Sequence, residues 1–62
     1  MEIQEFIEME VAMIKNQFGL SQIKDDVKRY VFRKFNGTYT IDTMIEMCME
    51  IYAEIIKKSS NI

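Results

Sequence analysis

Between Ile41 and Ile56 the chain carries an apolar arc so wide that its burial dictates what the rest can become. Ile41, Ile45, Cys48, Tyr52 and Ile55 follow one another at spacings of four, three, four and three, the period that stacks side chains along one helix face. At about 100° of rotation per residue, Met44, Met47, Met49, Ile51 and Ile56 widen that face past half the circumference. Only the strip formed by Asp42, Thr43, Glu46, Glu50, Glu54 and Lys57 is left for water. One neighbouring helix cannot cover so broad an arc. The helix, expected over about 41–58, must therefore lie between two others or meet a second chain, with Met44, Met47 and Ile51 as the surface shared between chains.

Two further periodic segments are available to cover it. Over residues 2–18, Ile3, Ile7, Val11, Ile14 and Phe18 form one apolar row and Phe6, Met9 and Met13 a second. Glu10 falls between the rows, where it is expected to reach water along its stem at the point where two helices diverge. Over residues 22–35, Ile23, Val27, Tyr30 and Val31 share a face with Phe35 at its edge. Gly19 suits the left-handed position just past the first helix and Ser21 suits the N-cap of the second. Asn36-Gly37 supplies the stop after the second helix, and Thr38, Thr40 and Asp42 each suit the cap of the third. A rival for residues 30–41 is a β-hairpin turning at Asn36-Gly37, but its alternation is poor and a lone hairpin is marginal in water. The expected fold is all-α, a single domain of three antiparallel helices spanning residues 1–62, with Ser59 to Ile62 frayed.

At 62 residues, such a domain buries only about 60% of its unfolded surface and usually needs a staple or a partner. Cys48 is the only cysteine and there is no histidine, which removes disulfides and the usual zinc sites. Self-association or a protein partner is then the remaining way to complete the core. No stretch approaches the roughly 20 apolar residues of a membrane span, and Glu2, Glu5 and Glu8 interrupt any leader-like run. A reduced, cytoplasmic protein is the expectation. Ten Ile against one Leu, six Lys against two Arg, an initial Met and a short polar tail suggest a complete small reading frame from a low-GC bacterium, its phage or a plasmid.

Catalytic signatures fail in turn. Without histidine there is no Ser-His or Cys-His pair, and Cys48 between Met47 and Met49 reads as a small core residue. Two isolated glycines cannot make a phosphate loop. Glu46, Glu50 and Glu54 follow one helical row opposite apolar residues, the pattern of a solvated face. No catalytic residue, metal ligand or cofactor site is expected.

Charge is segregated instead. The first segment has a net charge of −3 and the third −2, whereas residues 24–34 set Lys24, Lys28, Arg29, Arg33 and Lys34 against Asp25 and Asp26. The simplest consequence is a basic helix flanked by acidic ones, with weak surface pairs between them. A sharper reading makes Lys28, Arg29, Phe32 and Arg33 a binding surface, an aromatic ringed by cations, as interfaces favour. Residues 18–27 begin like the turn of a helix-turn-helix, a resemblance that implies DNA binding, yet Asp25, Lys28 and Lys15 stand where that pattern has buried or small residues. Phe18-Gly19-Leu20-Ser21 and Asn36-Gly37 are likewise similar to the loops of ubiquitin-associated-type three-helix domains, whose second helix is shorter. The functional expectation is a non-enzymatic protein–protein interaction module, a small cytoplasmic regulator or inhibitor that pairs with itself or another protein. The alternative is a DNA-binding regulator using helix 22–35, disfavoured because phosphate binding requires net basic surface and the chain carries −2.

Overall fold

The computed structural model describes residues 2–60, which form three helices: α1 (Ile3–Lys15), α2 (Leu20–Phe35) and α3 (Ile41–Ser60). α3 lies against both of the others, which meet each other less extensively. The long axis of the molecule, 35 Å, accommodates the 20 residues of α3 at 1.5 Å each. The core takes Phe6 and Ile7 from α1, Ile23, Val27 and Val31 from α2, and Met44, Ile51 and Ile55 from α3. Ile23, Val27, Val31 and Ile55 have no appreciable exposure and form its centre.

The loops differ in detail from what residue preference suggests. α1 ends before Asn16, and the left-handed residue is Gln17, at φ 69°, rather than Gly19. The Phe18 amide donates to the Met13 carbonyl at 3.0 Å and the Gln17 amide to Ile14 at 2.9 Å, the paired bonds of a Schellman stop. Gly19 is extended instead, with φ −71°, and is the N-cap of α2. Ser21, expected to be that cap, lies inside the first turn. The cap position arrives two residues early because the α1 stop completes its bonds by Phe18.

After α2, Gly37 at φ 87° turns the chain, and the Thr38 and Tyr39 amides both donate to the Phe35 carbonyl. A single bridge between Asn36 and Tyr39 is the only extended pairing among the described residues, so the hairpin over 30–41 does not form. Residues 30–35 remain helical because Val31 is needed in the core. Of the three cap candidates before α3, Thr40 is used: its Oγ1 accepts from the Thr43 amide at 3.2 Å. At the far end Ser59 and Ser60 continue the helix, their hydroxyls donating to the Ile56 carbonyl at 3.0 and 2.9 Å. Of the tail expected to fray, Asn61 and Ile62 lie outside the described residues.

Two substitutions test this loop assignment. Gln17→Gly should raise stability by roughly 0.5–1 kcal/mol by relieving a left-handed non-glycine residue, and Gly19→Ser should stabilise by a few tenths of a kcal/mol by adding a cap. Thermal denaturation followed by circular dichroism measures both; a fall in Tm for Gln17→Gly would show that the turn lies elsewhere.

Candidate functional site

Two places on this scaffold gather side chains that a simple helical bundle does not require. The first is the outer side of the α2–α3 seam. Here Lys24, Val27 and Lys28 of α2 face Cys48, Met49 and Tyr52 of α3 across a groove of about 190 Å³. The Lys24 Nζ stands 5.4 Å from the centre of the Tyr52 ring, a distance at which the ring face attracts the cation. Burial pushes the Cys48 thiol above its ordinary value, and the charge of Lys28 opposes that shift without cancelling it. The thiol therefore stays protonated at neutral pH, which suits packing rather than nucleophilic attack.

The groove opens onto an apolar stripe. Ile41, Ile45 and Met49, 64%, 46% and 67% exposed, repeat every four residues along the outer side of α3. This inverts the face anticipated from the sequence. Met44 and Ile51, expected to be shared between chains, are 3% and 7% exposed and belong to the core of the single chain, with Met47 half-buried against it. The centre of an apolar arc lies opposite its charged strip. From Glu46 that direction is toward Met44, Ile51 and Ile55, and Ile45 and Met49 lie about 80° and 120° away from it, on the edge; Ile41, as near to that direction as Ile51, is exposed at the first position of α3.

The basic surface of α2 is only partly assembled. Lys28, Arg29 and Arg33 are exposed, but Phe32 is half-buried and packs against the core rather than standing free among them. Arg29 lies 3.7 Å from the Asp26 carboxylate, an i,i+3 pair that offsets part of its charge. Helical rotation separates Lys28 from Arg33 by about 140°, so they face different directions. Lys28 alone among the four lines the groove.

The second place is the α1–α2 contact, which sequence reasoning missed. Phe6 stacks on Tyr30 with ring centres 4.1 Å apart and planes 10° apart, and the Lys34 ammonium donates to the Tyr30 hydroxyl at 3.1 Å. One helical turn along, Glu10 faces Asp26. Glu10 does not reach water along its stem: it is 3% exposed, and its Oε1 has no hydrogen-bond partner. Removal from water first, then repulsion by Asp26 and a hydrogen bond with it, push the Glu10 carboxyl up to about 7. Asp26 itself accepts from the Gln22 side-chain amide at 3.3 Å. The clue in the sequence was that Glu10 lies midway between two apolar rows, at the centre of the face they define.

Among the described residues, no group of three or more His, Cys, Asp or Glu side chains is placed to hold a metal ion, and no helix is long and apolar enough to cross a membrane. Comparison of the chain with protein-family models, with curated proteins and with solved structures finds no match.

Glu10 gives the site a pH signature. Its folded pKa of about 7 lies above the ordinary 4.5, so between those values the folded chain retains a proton that the unfolded chain has lost. Its stability contribution is greatest below about 4.5 and declines as pH rises toward 7. Glu10→Gln removes the titration. Urea unfolding should show the variant gaining on the wild type by on the order of 2 kcal/mol between pH 5 and pH 8; a difference independent of pH would contradict the assignment.

Proposed function

We propose that this chain is a non-enzymatic protein–protein interaction module whose docking face is the α2–α3 seam. The observation that carries this reading is the exposed line of Ile41, Ile45 and Met49, continuous with the groove between Lys24, Lys28 and Tyr52. Three large apolar side chains standing in water along successive turns of one helix are unfavourable unless something covers them. Isolated exposed apolar residues are ordinary, whereas contiguous ones mark contact surfaces. Lysines at one margin supply the polar rim that fixes orientation. The role that suits such a surface on a small domain is that of a cytoplasmic regulator or inhibitor that works by occupying a partner.

Duplex binding through α2 is the competing reading, and it draws on the exposed Lys28, Arg29 and Arg33. Those cations point in divergent directions, Arg29 is engaged by Asp26, and the carboxylates of α1 and α3 would oppose the flanking phosphates.

Substitution separates the two readings. Ile45→Glu with Met49→Glu should cost less than about 1 kcal/mol, because both sites are exposed, and should abolish capture of protein from nuclease-treated lysate. Ile51→Glu, by contrast, should unfold the chain, because a carboxylate there would lose its water. Fluorescence anisotropy should detect no duplex binding above weak background at physiological salt. Tight binding removed by Arg29→Ala and Arg33→Ala, with capture indifferent to Ile45 and Met49, would overturn the proposal.

A further inference from the structure

The α2–α3 face has a charge layout that identifies what can cover it. Along one margin of the apolar stripe run Lys24 and Lys28, both lining the groove. Along the other margin, about 60–100° further round α3 by helical rotation, run the exposed carboxylates of Asp42, Glu46 and Glu50. The surface is therefore apolar in the middle, positive on one side and negative on the other. Resting on the reading above, we propose that its occupant is a second copy of this chain, with the two α3 helices side by side and parallel.

The orientation follows from symmetry. Two copies can meet face to face about a two-fold axis that runs along the stripe or across it. An axis across the stripe makes the helices antiparallel and lays each positive margin over its counterpart, so that Lys28 confronts Lys28. An axis along the stripe keeps the helices parallel and lays each positive margin over the other copy's negative one. Lys28 stands level with Cys48, whose thiol feels its charge, so it meets Glu46 and Glu50 of the second copy. Only the second arrangement lets Ile45 and Met49 pack on their own counterparts while every lysine at the margin gains a carboxylate.

The contact is modest in size. From Ile41 to Tyr52 the stripe runs about 16 Å along a helix about 10 Å wide, a footprint well short of the roughly 800 Å² per partner that a standard interface buries. A reversible dimer with a Kd on the order of tens of micromolar is expected, with salt dependence from its rims.

The test uses the whole chain. Sedimentation from about 10 to about 500 µM should show the wild type dimerising, Ile45→Glu with Met49→Glu monomeric, and Lys28→Glu weakened about tenfold. Adding Glu46→Lys and Glu50→Lys to Lys28→Glu exchanges the charges that meet at the level of residue 28 and should restore the dimer, with circular dichroism confirming that each variant is folded. In a Cys48→Ser background, Ile41→Cys and Met49→Cys lie two turns apart, about 12 Å. Each should cross-link to its own kind with a short bis-maleimide. Linking only in a mixture of the two, or a charge swap that fails to restore association, would overturn the parallel arrangement. A wild type monomeric throughout the range would overturn the second copy and leave the docking face for another protein. A dimer indifferent to Ile45→Glu and Met49→Glu would overturn both.

Discussion

Burial of one side of α3 by two other helices is the interaction on which the rest of the structure depends. Ile55 of α3 and Ile23, Val27 and Val31 of α2 are sealed completely, and α1 closes the remaining side with Phe6 and Ile7. Fully burying such a side chain is worth roughly 1.5–3 kcal/mol, so this small set supplies much of what a chain of 62 residues has to oppose its conformational entropy. The two neighbours subtend less than the whole apolar arc. What they leave is the line of Ile41, Ile45 and Met49, so the docking face is a geometric remainder of the packing that makes the domain fold.

The buried carboxylate belongs to the same balance. Glu10 occupies the centre of the face that α1 turns inward, where an apolar residue would ordinarily pack. Keeping it there costs either the energy of an uncompensated charge or the uptake of a proton, and the neighbouring Asp26 pushes it toward the second. The α1–α2 contact, already the least extensive of the three, thus holds the one buried titratable group among the described residues.

Much of this was legible in the sequence, and the failures have physical causes. Helix type, number and order follow from three periodic segments, because the period of an amphipathic helix is a property of the chain. The phase of α3 was harder, since an arc covering more than half a helix fits a partner over a wide range of rotations. Its charged strip narrows the choice: the direction opposite Glu46 is that of Met44, Ile51 and Ile55, but Ile41 is as near to it as Ile51 and is exposed at the first position of the helix. Residue preference points to Gly19 and Ser21 for the turn and the cap, whereas α1 completes its hydrogen bonds by Phe18 with Gln17 left-handed and accepts the strain. Phe32, opposite Ile23 on an ideal helix, nonetheless reaches the margin of the core because the side chain is long. The groove itself joins residues twenty or more positions apart, and no local pattern shows it.

Methyl NMR with a soluble gadolinium agent tests the rotational setting of α3 directly. At concentrations where the protein is monomeric, the Ile41, Ile45 and Met49 methyl signals should broaden strongly, while those of Met44, Ile51 and Ile55 should be protected. Broadening of Met44 and Ile51 as strong as that of Met49, with Ile41 and Ile45 protected, would place the other face of α3 in the core and contradict the account.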